Sequence, residues 1–208
     1  CYPVESFDER SVRWDLNYFK YCFLKLTKME FLESPLEDDF DTMVGRLLNS
    51  PAQSAIPQCE AQFNSPQGSS TFLYRDFQSR NVMVRDGEPY FIDFQGGRRG
   101  PIYYDIASFL WQAKANLPQS LREQLIDEYR DELSLISDIR FDRVLLTEFV
   151  LFRTLQVLGA YGYRGLFEGK THFVESIPFA IKNLKELFAA NEGLRQTYPY
   201  IYAISNSL

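Results

Sequence analysis

Histidine is nearly absent from this 208-residue chain: His172 is the only one, and it reads as a surface or loop residue. A metal centre built from several imidazoles is therefore excluded, and a Ser-His-Asp triad would have to rest on that one residue. Cysteine is almost as scarce. Cys1, Cys22 and Cys59 are odd in number and contain no C-x-x-C pair. Zinc ribbons and thioredoxin-like chemistry are out, and a reducing, cytoplasmic compartment is the expectation. There is no excess of basic residues. Lys and Arg total 22 against 28 Asp and Glu, a formal net charge of −6, so no nucleic-acid partner is expected. Nor is there an uninterrupted apolar run of the ~18 residues that a membrane span needs. The longest candidate, "RVLLTEFVLFRTLQVLGAY", is broken by Glu148 and Arg153 and reads as a buried helix, so no membrane partner is expected. No signal-peptide pattern opens the chain. Its start, "CYPVESFDERSVRWDLNYF", lacks Met and begins in mid-pattern; a longer parent protein is the expectation.

What is present is a substantial core. The hydrophobic fraction is 45%, and there are 18 Phe, 13 Tyr and 2 Trp, enough for one large domain or two small ones. Helical spacing of apolar residues appears over 15–31, with Leu16, Phe19, Phe23 and Leu26 on one face and Asp15 as a cap. It recurs over 38–49 (Phe40, Met43, Leu47, Leu48), after Asp105, after Pro118, over about 141–158, and in "IPFAIKNLKELFAA" as the last helix. The stretch 50–70 is rich in Pro, Gln, Ser and Gly, and "AYGYRGLFEGKTHF" is punctuated by glycine; both read as loops. Between these lies a β-rich centre, 71–94. The expected fold class is α+β, mostly helical, with one small hairpin carrying the polar residues.

The centre reads "TFLYRDFQSRNVMVRDGEPYFIDFQGG". Asp86-Gly87 is a two-residue hairpin signal, because Gly tolerates φ > 0 and Asp nearly does. With the turn there, Arg85 pairs with Glu88, Val84 with Pro89, and Asn81 falls opposite Ile92. Asp93 is the next residue along, so Asn81 and Asp93 emerge together at the open end of the hairpin. Asp76 lies five residues before Asn81, in the loop entering the hairpin. One amide oxygen and two carboxylates thus converge. Hard oxygens of this kind suit Mg²⁺, and two carboxylates this close would repel without a cation. Taken singly, each could be a loop residue satisfying local backbone groups. Taken together, D-x-x-x-x-N followed by an apolar strand ending in Asp-Phe is the layout of a kinase catalytic loop and its metal-binding aspartate.

"YRDFQSRN" followed by "YFIDFQGGRRGPIYYDIASFL" resembles the C-terminal lobe of the aminoglycoside phosphotransferase and choline kinase-like superfamily, in particular its branch of bacterial sugar kinases acting on the anomeric hydroxyl of N-acetylmuramate and N-acetylglucosamine. The similarity extends over about 15–188 and is densest over 72–110. It implies Asp76 as the catalytic base, Asn81 and Asp93 as Mg²⁺ ligands, and Asp105 as a buried aspartate that caps its helix and braces the catalytic loop. Tyr74 stands where the family often has His, which implies an altered brace. Weaker substrate-binding candidates are Gln78, Arg80 and Gln95, beside the site by sequence, and Arg98 and Arg99, which could touch a phosphate or simply be solvated loop cations. Tyr161, Tyr163 and Arg164 could line a sugar cleft or merely pack. "QGGRRG" is not a P-loop, since it lacks Gly-Lys-Ser/Thr, and nothing before Asp15 supplies the phosphate-covering strands and Lys that such kinases need. The whole chain, 1–208, is expected to be the catalytic, substrate-binding lobe, with its nucleotide-binding N-terminal lobe as partner and little turnover alone. The implied activity is ATP- and Mg²⁺-dependent transfer to a hydroxyl of a small molecule, an amino sugar first among candidates. Two rivals remain open: a non-catalytic kinase-shaped scaffold, which would have no need of the Asp-Asn-Asp set, and a protein kinase, against which the missing Ala-Pro-Glu segment and the early helix after Asp93 argue.

Overall fold

The computed structural model describes residues 4–49 and 71–208, so the loop expected over 50–70 lies outside the described residues, as do Cys1 and Cys59. The helices are α1 (Glu9–Phe19), α2 (Glu33–Asn49), α3 (Ile102–Leu110), α4 (Gln119–Ile136), α5 (Arg143–Tyr161), α6 (Thr171–Val174), α7 (Ile177–Ala190), α8 (Glu192–Thr197) and α9 (Pro199–Ser207). Two small antiparallel sheets carry the rest: β1 (Phe72–Leu73) with β4 (Arg98–Arg99), and β2 (Val82–Arg85) with β3 (Glu88–Phe91). Among the described residues the fold is mostly helical, as expected, but holds two sheets instead of one.

Helix α5 is the axis of the core. Twelve of its 19 residues are buried, among them Phe149, Leu151, Phe152, Leu155 and Leu158. Each such side chain contributes roughly 1.5–3 kcal/mol of burial. The two polar interruptions of its apolar run both find partners. Glu148 accepts from Arg46 and from the Tyr198 hydroxyl (2.8 Å). Arg153 donates to the Tyr104 hydroxyl (2.7 Å), Gln156 Oε1 (2.6 Å) and Ser108 Oγ (2.9 Å). By length and composition, Arg143–Phe167 is the one stretch among the described residues that could cross a membrane. Since 67% of its apolar window is buried inside the protein, a core helix accounts for it.

Three expectations are corrected. Helix α1 starts earlier than 15, because Asp8 caps it by accepting from Ser11 N (2.8 Å). Asp15 is no cap; it is buried on the inner face beside Val12, Leu16 and Phe19, and a π-turn (Lys20–Leu24) continues the helix. The glycine-rich "AYGYRGLF" is helical throughout, running from α5 into a second π-turn (Gly162–Phe167). Its glycines serve helix contact. A Cβ on Gly162 would lie 1.9 Å from the Cys22 carbonyl oxygen, and one on Gly159 would lie 2.7 Å from the Phe19 nitrogen. Backbones touch there, so no side chain fits. Lastly, α7 is not the final helix. α8 and α9 follow, and Asp39 of α2 caps α9 by accepting from Tyr200 N (3.0 Å) and Ile201 N (2.7 Å).

Candidate active site

The β2–β3 hairpin turns at Asp86-Gly87, whose φ values of 53° and 84° place both in the left-handed region that a two-residue turn requires. Arg85 pairs with Glu88 and Val82 with Phe91. The ladder ends where Ile92 N donates to the Asn81 carbonyl (3.0 Å). Asp93 follows at once, so the open mouth of the hairpin brings Asn81 and Asp93 side by side.

Asp76 reaches that mouth through the loop before it. Asn81 is buried, and its Nδ2 donates to the Asp76 carbonyl (2.9 Å). That bond fixes the loop and leaves the amide oxygen as the atom able to face a cation. The Asp76 carboxylate is exposed and stands over Gly96, where an added Cβ would lie 3.8 Å from Oδ2. Asp93 is also exposed. It has φ 67°, and its Oδ1 accepts from Gln95 Nε2 (2.5 Å). Arg75, one residue before Asp76, has φ 76°. Strain of this kind costs of order 1–3 kcal/mol per residue and persists only where surroundings over-determine it. Here the surroundings are visible. Asp105 accepts from both Tyr74 N (2.6 Å) and Arg75 N (2.9 Å), clamping the strained peptide from α3. Burial pushes the Asp105 carboxyl up from its usual range, and these two N–H groups pull it part of the way back. The expected capping of its own helix does not occur: Pro101 holds the N-cap of α3, and Asp105 lies inside its first turn. The Tyr74 hydroxyl donates to the Ile92 carbonyl, tying the loop to the end of β3. Its phenol pKa is raised, first by burial and then by the carboxylates of Asp93, Asp76 and Asp105.

The weaker candidates separate. Gln78 and Tyr161 line one small cavity of about 50 Å³ with Ser108, Gln112 and Arg153. With its amide turned as the guanidinium requires, Gln78 accepts from Arg80 Nη2 (3.0 Å) and Nε (3.1 Å). Arg98 is not a solvated loop cation. It is buried, donates to the Gly96 carbonyl (3.3 Å), and lines a 540 Å³ cleft with Trp14, Asp15, Tyr18 and Arg75. Strand alternation sends Arg99 the other way, where it forms an ion pair with Glu5. Tyr163 and Arg164 belong to a surface cluster: Tyr163 stacks on Phe167 (5.4 Å between rings), and Arg164 pairs with Glu168 (3.0 Å). His172 is exposed against Phe173.

A layer that the pattern reading missed supports the loop from behind. Asp15 Oδ1 lies 3.5 Å from Arg75 Nη2. Burial raises the Asp15 carboxyl, while Arg75, Arg153 and Arg98 counter the rise. Tyr104 is fully buried, and its phenol is pushed up to about 12 by desolvation, with Arg153 opposing. The available signal was a charge on an apolar helical face, at Asp15 in α1 and Arg153 in α5. A larger cavity of about 1050 Å³, lined by Trp111, Arg122 and Lys182 among others, contains none of Asp76, Asn81 or Asp93 and lies apart from this site.

The model of the phosphotransferase enzyme family matches residues 30–140, more than half of the chain. The chain belongs to that family. The matched region holds the whole loop and hairpin, so Asp76, Asn81, Asp93 and Asp105 all lie within the stretch that shows the kinship. It is also similar to the N-acetylmuramate/N-acetylglucosamine kinase of Pseudomonas aeruginosa, 24% identical over 126 residues. That match covers 61% of this chain and 33% of the kinase's length, so the matched region spans about a third of that relative.

Proposed function

We propose that the protein transfers the γ-phosphoryl group of ATP to a hydroxyl of a small molecule, with an amino sugar as the first acceptor to test. The carrying observation is the hairpin register that sets Asp93 beside Asn81 at the mouth of the loop bearing Asp76. Asp76 would take the acceptor hydroxyl's proton as the oxygen bonds to the γ-phosphorus and the bond from that phosphorus to the bridging oxygen of ADP breaks. Exposure of its carboxylate keeps it open to an acceptor. The donor types fit Mg²⁺: Asn81 and Asp93 offer hard oxygens, and Mg²⁺ takes few protein ligands and fills its other positions with phosphate and water. Among the described residues no group of three or more His, Cys, Asp or Glu could hold a metal ion, so the protein's share of the proposed ligand set is one amide and one carboxylate. The ion would neutralise phosphate charge; Asn81 and Asp93 would hold its place, and Asp105 would keep the loop still.

The chain is read as the helical, catalytic lobe, acting in the cytoplasm with a nucleotide-gripping lobe and a small-molecule acceptor, and with neither nucleic acid nor membrane as partner. The exposed apolar residues of the hairpin and its end, Met83, Tyr90, Phe91 and Ile92, offer a surface for the nucleotide and that lobe. The test is Asp76→Asn in the parent protein, assayed with Mg-ATP and a panel of sugars. A positioned base contributes typically 10²–10⁴-fold, so turnover should fall by about that factor while circular dichroism is unchanged. Undiminished turnover in a folded variant would refute the assignment.

A further inference from the structure

The cavity of about 1050 Å³ between α4, α5, α7 and α8 has no part in the proposed reaction. Four cations line it, and three of them are in ion pairs: Arg46 with Glu148, Arg143 with Glu123, and Lys182 with Glu186 (3.7 Å). Arg122 is the fourth. It is 5% exposed, and its hydrogen bonds go to neutral oxygens. Nε donates to the Leu110 carbonyl (3.1 Å) and Nη2 to Asn183 Oδ1 (3.3 Å), while the guanidinium lies 5.1 Å from the centre of the Trp111 ring. Nη1 has no hydrogen-bond partner among the described residues. It is not sealed in either. Among those residues the one buried side-chain nitrogen or oxygen lacking a partner is Arg153 Nε, so Arg122 Nη1 keeps surface that a solute can reach. Burial lowers the Arg122 pKa, with the Glu186 charge opposing. A guanidinium taken from water without a counter-ion is costly, and an anion entering the cavity would supply one.

The surroundings narrow the choice of anion. Glu123, Glu148, Glu186 and Glu192 also line the cavity, so a doubly charged phosphate would meet more repulsion than a single carboxylate. Accessible apolar surface comes from half-buried Trp111 and Leu117 and from exposed Pro118, Val144 and Ala190. Small-molecule sites run to about 300–1,000 Å³, so the space suits a ligand with a body as well as a charge. We propose that this cavity is a second ligand site, separate from the catalytic loop, which binds a monocarboxylate with an apolar body: the carboxylate on Arg122 Nη1, the body along Trp111 and Leu117. Charge-assisted bonds from a guanidinium to a carboxylate are among the stronger ones, and shielding from water strengthens them. The site uses none of Asp76, Asn81 or Asp93 and does not depend on the phosphoryl-transfer reading.

Calorimetry on the whole protein, without nucleotide or Mg²⁺, tests the site. Benzoate, 3-phenylpropionate and octanoate are each titrated against the corresponding primary amide, with phenyl phosphate and inorganic phosphate as a separate arm. At least one acid should bind tenfold or more tighter than its amide, and tighter than either phosphate. The preference should vanish in Arg122→Gln and in Asn183→Asp, which sets a fixed carboxylate beside the guanidinium. Trp14→Phe leaves Trp111 as the only indole in the chain, and its emission should change with the same midpoint as the heat. That readout decides if neither cavity variant folds. A preference below tenfold in all three pairs overturns the proposal, as does one that survives in either folded variant, or a Trp111 emission that does not respond. Phosphate binding tighter than every acid and lost in Arg122→Gln would overturn the carboxylate assignment in favour of a phosphate site.

Discussion

The hairpin and the α1–α5 seam are built on opposite terms. Every residue of β3 is exposed, and so are Asp76 and Asp93. In the seam, backbone meets backbone through Gly159 and Gly162, and Phe19, Phe23, Leu155 and Leu158 are wholly buried. The strain also differs. Arg75 and Asp93 hold positive φ at the site, whereas the glycine-rich stretch of the seam stays in helical or π-helical geometry. One region leaves the candidate site's carboxylates in the open; the other packs tightly enough to serve as rigid support for it. Asp105 joins them, since α3 packs on α5 while its carboxylate clamps the loop.

The contrast predicts that equal-sized changes act differently on the two sides. Gly162→Ala should have the largest effect on stability. Its Cβ would meet the Cys22 carbonyl at 1.9 Å, and because that atom is backbone, whole helices must part. Overpacking costs typically 1–3 kcal/mol and occasionally more; about 3 kcal/mol or more is expected here, read by urea denaturation. A loss under ~1 kcal/mol would mean that the seam yields, and the contrast would weaken.

Asp105→Ala comes next and should divide its effect the other way. Two backbone N–H groups lose their acceptor, at about 1–3 kcal/mol for each group left unsatisfied if water cannot reach it. The loop is near solvent, so the lower end is expected for stability. Phosphoryl transfer should fall at least tenfold, since misplacement of about 1 Å can cost 10² in rate. Equal losses of stability and rate, with activity restored simply by cooling, would show that Asp105 only holds the fold.

These two positions also mark what the sequence made legible. Asp-Gly fixed the hairpin register because turn chemistry and strand pairing are local, and with the register came the placement of Asn81 and Asp93. The seam was not legible. Gly162 looks like loop punctuation until its partner at Cys22 is known, because glycine permits a turn and a close approach equally. Asp15 was assigned to a cap for a related reason: a lone carboxylate near a helix start fits the pattern, and only Arg75, 60 residues away in sequence, explains its burial. The same applies to Arg98, whose inward direction depends on the β1–β4 pairing. Long-range contacts decided each case.

The smallest expected effect sharpens the comparison most finely, because it sets Asp105 against its counterpart in the helical layer. Asp39 is buried in α2 and accepts from Tyr200 N and Ile201 N, as Asp105 accepts from Tyr74 N and Arg75 N. Burial raises the carboxyl pKa of both above the usual value of 3.8, and in both the two N–H groups oppose the rise. A raised folded-state pKa means that the native state binds the proton more tightly than the unfolded chain does. Stability from each group is therefore greatest below 3.8 and declines as pH rises through the window above it. Asp39→Asn removes one titration and retains an amide oxygen for the helix N-terminus, so the decline of stability across that window should become shallower while phosphoryl transfer stays unchanged. The readout is the denaturation midpoint against pH. A slope identical to that of the wild type would mean that the two N–H bonds cancel the burial of Asp39 completely, leaving Asp105 and Asp15 as the carboxylates whose charge the fold must oppose.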